Sequence, residues 1–262
     1  MSCAPPRERA CSGSVTGRGY PDRMMPQALL LDFDGTLVDW RGGLAAGIRV
    51  AAGQFAAAHG FDAADVAART LEFEGEIFEA NSQAWYLGGI DASQLYNTVW
   101  RRAHDNYGVD PSDAPRLAEV HWRAELAGLR AYDDAALLLQ AARNAGIRTA
   151  VITNGPGHVQ RGKLAAVGLA DAFDAVLISA EVGSAKPDTR IFDVALAELG
   201  VAAEDAWHIG DTLAFDIAGA RAAGVEAVWL NRDGITRDEA EALPHREIAT
   251  LAELVPLLAR AA

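Results

Sequence analysis

The chain has 262 residues, half of them apolar and 23% charged, which allows a sizeable core and excludes wholesale disorder. Acidic residues outnumber basic ones 36 to 23, and the net charge of −13 argues against the basic face that a nucleic-acid binder needs. Cys3 and Cys11 are the only cysteines, so the body of the chain has no thiolate metal chemistry or disulfide, and a cytoplasmic setting is expected.

Residues 1–24 contain Pro5, Pro6 and four Arg but no apolar run of signal-peptide length, and they read as a disordered tail. No apolar stretch reaches the length of a membrane span. From Gln27 the pattern changes. Ala28-Leu29-Leu30-Leu31 is a continuous apolar run ending at Asp32, as in a strand buried on both faces. Similar runs recur at residues 149–153, 175–179, 206–209 and 226–230. Helical stretches at 134–144, 158–167, 188–199 and 216–223 lie between or after them, and Gly146, Gly200 and Gly224 supply C-terminal stops. Strands alternating with helices imply an α/β fold, a doubly wound parallel Rossmann-like sheet. Residues 41–128 break the alternation. They hold no strand run and read as helices at 44–59, 63–80, 93–107 and 114–128. The expected organisation is a catalytic core over residues 25–40 and 129–262, with an inserted α-helical cap at 41–128.

Ligands of open parallel sheets bind beyond the carboxyl ends of the strands. There the sequence places Asp32-Phe33-Asp34-Gly35-Thr36, then Thr153-Asn154-Gly155, then Lys186-Pro187-Asp188, and finally Gly210-Asp211-Thr212 with Asp216 five residues past Asp211. Each motif alone is weak, but the four occur in register on successive strand ends. In that order they resemble the haloacid dehalogenase-like hydrolase superfamily, in its phosphatase branch with a helical cap between the first and second motifs. The resemblance covers roughly residues 27–255.

The resemblance implies a magnesium-dependent phosphatase acting on a small phosphorylated metabolite. Asp32 is then the nucleophile that forms an aspartyl-phosphate. Asp34 protonates the leaving oxygen and later accepts a proton from the attacking water. Thr153 and Asn154 offer a hydroxyl and an amide to the phosphoryl oxygens, and Lys186 supplies a positive charge. Asp32, Asp34, Asp211 and Asp216 would crowd four acids around Lys186, and two like charges 4 Å apart repel by about 4 kcal/mol at an effective dielectric of ~20. A hard divalent cation, Mg²⁺, relieves this. The resemblance implies as ligands the carboxylates of Asp32 and Asp211 and the backbone carbonyl of Asp34, with Asp216 in an outer position. Only Lys163 and Lys186 among the 23 basic residues are lysine, which marks Lys186 as a chemical requirement.

Plainer readings hold for other residues. Asp39 and Asp188 read as helix N-caps, and His208 as a hydrogen-bonded core histidine. Trp85, Tyr86, Trp100, Tyr107 and Trp122 read as cap core with a substrate-facing minority, and Arg101, Arg102 and Arg123 as solvated faces. Among related activities, a dehalogenase has less need of Asp34. A phosphonatase that uses a cap lysine is excluded, because residues 41–128 contain none. A sugar-phosphate mutase stays open. A phospho-receiver or regulatory domain, the reading from another class, lacks the long helical insert. Neither a nucleic-acid nor a membrane partner is expected.

Overall fold

A computed structural model of the protein describes residues 25–238 and 241–259. The tail expected at 1–24 lies outside them. Six strands, β1 (Ala28–Leu31), β2 (Arg148–Thr153), β3 (Ala175–Ile178), β4 (Ala206–Gly210), β5 (Glu226–Leu230) and β6 (Arg246–Ile248), form one parallel sheet in the order β3-β2-β1-β4-β5-β6. The chain starts in the middle at β1, winds outward to β3, then crosses back to β4. The reversal creates a switch point at the carboxyl end of β1.

Period-two alternation explains why β1 is wholly apolar. Leu29 and Leu31 enter the core on one face of the sheet, and Ala28 and Leu30 enter the core on the other. Each fully buried leucine contributes about 1.5–3 kcal/mol. Helices α5 (Asp133–Asn144), α6 (Gly157–Ala166), α7 (Ser179–Val182), α8 (Thr189–Leu199), α9 (Ala218–Ala222) and α10 (Val255–Leu258) accompany the strands. The sheet extends one strand further than the sequence suggests. β6 has only three residues, too few for a periodic signal, and pairs at the edge through Val228–Leu230 of β5. The helix expected at 216–223 is also different: a π-helical turn at Leu213–Ile217 leads into α9.

Between β1 and α5 run four long helices, α1 (Trp40–His59), α2 (Ala63–Tyr86), α3 (Ala92–Tyr107) and α4 (Ala114–Gly128). The first three start at aspartate side-chain caps, Asp39, Asp62 and Asp91. The Asp39 side chain accepts from Gly42 N at 2.9 Å, and Asp91 with Gln94 forms a reciprocal capping box. These helices bury a cluster of their own, including Phe55, Val99, Trp100 and Leu117. The approach of α1 to α4 depends on Gly47, where an added Cβ would lie 2.3 Å from His121 Cδ2 and 2.8 Å from the His121 carbonyl oxygen. The chain enters and leaves this helical segment side by side: Asp39 N donates to Arg130 O, and Tyr132 N to Leu37 O, each at 2.9 Å. No described helix is long and apolar enough to cross a membrane.

Candidate active site

Parallel register brings the motifs together. Leu31 of β1 pairs with Val151 of β2 and with Ile209 of β4, so Asp32, Thr153 and Asp211 follow within one or two residues at a common level. Carboxylate oxygens of Asp32, Asp211 and Asp216 lie within 4.8 Å of one another. The close fit requires glycine at position 35: its φ is 89°, and an added Cβ would fall 2.2 Å from Asp211 Oδ2.

Lys186 is buried among these acids and binds two of them, with Nζ 2.6 Å from Asp32 Oδ1 and 2.7 Å from Asp216 Oδ1. Burial opposes its charge, but Asp216 and Asp32 outweigh burial and raise its pKa. Burial likewise works to raise Asp216, yet Lys186 and His208 prevail and hold it below the usual carboxylate range. Both Asp216 oxygens are engaged: Oδ1 also meets His208 Nε2 at 3.0 Å, and Oδ2 accepts from Thr212 N at 3.0 Å. His208 is the hydrogen-bonded core histidine that was expected, and burial lowers its pKa. Asp32 is different. Its Oδ2 is buried without a hydrogen-bond partner, and burial, opposed by Lys186 but reinforced by Asp216 and Asp211, raises its pKa. Burial and Asp216 also push Asp211 up to about 6.

Asp34 stands apart from this lattice. Its Oδ2 accepts from Gln160 Nε2 at 2.9 Å, and its Oδ1 meets Lys163 Nζ at 3.2 Å. Sequence reasoning placed only Lys186 among the acids, and the structure corrects this: both lysines of the chain are buried in one cavity. Gln160 also donates to Thr153 Oγ1. The amide expected to face phosphoryl oxygens, that of Asn154, is engaged elsewhere. Its Nδ2 donates to Lys186 O at 3.0 Å and its Oδ1 accepts from Lys186 N at 2.9 Å, so it braces the lysine backbone. Asp39 and Asp188 cap α1 and α8, as read from the sequence.

A cavity of about 290 Å³ opens over these groups, with its far wall made by α1–α4. That wall carries Leu44, Glu74, Phe78, Trp85, Tyr96 and Glu125. Tyr86, at the end of α2, sets its ring edge-on to Phe215 of the π-helical turn at 5.5 Å between centroids.

A family model of haloacid dehalogenase-like hydrolases matches residues 26–224. The chain belongs to this family. It is 32% identical over 249 residues to the ribulose-1,5-bisphosphate 5-phosphatase of Halopiger xanaduensis, covering 89% of this chain and all of that protein. It is 43% identical over 163 residues to the phosphoserine phosphatase of Thermus thermophilus, where the match spans 62% of this chain and 65% of the relative. Among solved structures, a 2-haloacid dehalogenase of Pseudomonas syringae superposes with a TM-score of 0.63 at 28% identity, over 91% of this chain and all of the other.

Within this haloacid dehalogenase-like fold, the groups the sequence did not reveal lie on helices. Lys163 and Gln160 share one face of α6. The scarcity of lysine was a signal that applied to Lys163 as much as to Lys186. Glu125 on α4 is almost wholly buried, accepts from Tyr96 OH and lies 3.7 Å from Lys163 Nζ. Burial raises its pKa, opposed by Lys163. Burial, with Glu125 nearby, raises Glu74 to about 7. Of the aromatic set, Trp85 and Tyr86 line the cavity, whereas Trp100 is buried within the helices. Arg101, Arg102 and Arg123 are exposed.

Proposed function

We propose that the protein is a Mg²⁺-dependent phosphatase that hydrolyses a small phosphorylated metabolite through an aspartyl-phosphate on Asp32. The observation that carries this reading is the second carboxylate, Asp34, in the same cavity as the unpartnered Asp32 Oδ2. An alkoxide leaving group needs a proton, whereas a halide does not. Phosphatase relatives accord with this, and the cavity is at the small end for metabolite pockets.

An Asp32 oxygen attacks phosphorus, and the bond from phosphorus to the leaving oxygen breaks. The Asp34 carboxyl proton passes to that oxygen, releasing the alcohol and leaving Asp34 ionised. Water then attacks the phosphoryl group, giving a proton to Asp34. The phosphorus–Asp32 bond breaks, freeing phosphate and restoring both carboxyls. Lys186 holds Asp32 in line and adds positive charge near the phosphoryl group. Thr153 Oγ1 faces the cavity, held by Gln160. The donor set fits a hard cation: Asp32 Oδ2 and Asp211, with the Asp34 carbonyl, would hold Mg²⁺, while Asp216, already engaged by three donors, stays outside the ligand set. When bound, the ion supplies charge neutralisation among the acids and toward the phosphate. Residues 41–128 act as the cap over this chemistry, and a cytoplasmic location suits the cysteine-poor body.

Asp32→Asn is expected to abolish Mg²⁺-supported hydrolysis of an aryl phosphate without unfolding the protein, and chelation to silence the parent reversibly. The similarity to a 2-haloacid dehalogenase supports a second reading. Release of halide from 2-haloacids with no release of phosphate would select it.

A further inference from the structure

Lys163 has a position the hydrolytic scheme does not yet use. It belongs to α6, on the sheet side of the cavity, and is one helical turn beyond Gln160, so both side chains leave the same face. Together they engage both oxygens of Asp34, Gln160 at 2.9 Å and Lys163 at 3.2 Å. The carboxylate cannot rotate without giving up one of these contacts. On its far side Lys163 meets Glu125 Oε1 at 3.7 Å, and Tyr96 fixes Glu125 through its other oxygen. A continuous polar chain thus runs from the helical wall, Tyr96 to Glu125 to Lys163, into Asp34.

Folding alone gives no reason for this chain. Replacing a buried ion pair by apolar groups of similar volume is often neutral or stabilising. A charge is buried here at a cost, and the cavity group it reaches is Asp34. We propose that Lys163 is a positioning residue for Asp34, holding that carboxylate for proton transfer to the leaving oxygen, with Glu125 and Tyr96 anchoring the lysine. The inference rests on the phosphatase reading. Two donors on the two oxygens match the ionised form, so the arrangement is set in advance for the charge that Asp34 gains as it releases its proton. The contribution of Lys163 therefore grows with the basicity of the leaving oxygen.

The test compares kcat/KM for two esters whose alcohol portions carry no charged substituent: para-nitrophenyl phosphate, whose nitrophenolate can leave as the anion without a proton, and a simple alkyl phosphate, whose alkoxide cannot. Lys163→Met alone would strand buried Glu125, so the paired variant Lys163→Met with Glu125→Gln is the main reagent, with thermal melting to confirm its fold. It is expected to lose about 30-fold on the alkyl ester, part of the ~10²–10⁴ that general acid catalysis supplies, and less than about threefold on the aryl ester. Placed on Asp34→Ala, the same pair is expected to change the alkyl rate by less than about twofold, because the two act through one group. Equal losses on both esters, losses that follow leaving-group size, or full additivity with Asp34→Ala would overturn the assignment. A parent inactive on both esters would overturn the phosphatase reading and this inference with it.

Discussion

The two walls of the cavity are built on different principles. The wall at the strand ends is an ionic lattice: parallel register sets Asp32 and Asp211 side by side, and the π-helical turn and the loop after α7 bring Asp216 and Lys186 to them. The wall of α1–α4 is largely aromatic and apolar, with two carboxylates, Glu74 and Glu125, set into it. In the first, charge sits on short segments beyond rigid strands, so its geometry follows from backbone pairing. In the second, position depends on how helices pack, and Glu125 is held by Tyr96 and Lys163 from two other helices. The geometry of one wall is therefore tied to the sheet, while that of the other is tied to side-chain packing among helices.

The largest expected effect comes from breaking the lattice. Lys186→Met leaves Asp32 and Asp216 buried without their cation. It should cost about 3–5 kcal/mol in denaturant unfolding and about 10²–10³-fold in turnover. A variant within 1 kcal/mol of the parent would show that the lattice is not held by that pairing. A packing change in the other wall should be milder. Gly47→Ala gains up to about 1 kcal/mol in helix propensity, but the new Cβ would meet the His121 backbone carbonyl, which cannot turn away. Overpacking costs about 1–3 kcal/mol, so net destabilisation is expected in the same measurement.

The smallest effect sharpens the contrast through pH. Glu74 keeps its proton to about pH 7 in the folded chain, against an ordinary value of 4.5. Between these values the folded state binds more protons than the unfolded one. Its contribution to stability is complete below 4.5 and is lost as pH rises through 7. Glu74→Gln should gain roughly 1–2 kcal/mol over the parent at pH 8, held below the full linkage by partial exposure, and nothing at pH 4.5. Paired unfolding curves at the two pH values check it; an equal gain at both would assign the effect to packing.

The sheet was legible because its strands are buried on both faces, as Leu29 and Leu30 are, and read as unbroken apolar runs. β6 was not, since Arg246–Ile248 is a three-residue edge strand that needs β5 to exist. The acids of the site were legible because the chemistry demands them at strand ends. Asn154 was found, but its contacts with the Lys186 backbone were not legible, because they depend on how the loop after α7 folds back on β2. Gln160, Lys163, Glu74 and Glu125 lie on helices whose inward face is fixed only by tertiary packing, so spacing alone could not separate them from solvated positions.

The π-helical turn at Leu213–Ile217 has a consequence for how this gene can vary. Such a turn holds one residue more than ordinary winding needs. Deleting one residue there would restore a regular helix, yet it would swing the following side chains by about 100° and carry the Asp216 carboxylate away from Lys186 and His208. Substitutions at exposed Ala214 should be tolerated, but a change in length should not. The segment is constrained in its residue count as well as in its buried residues.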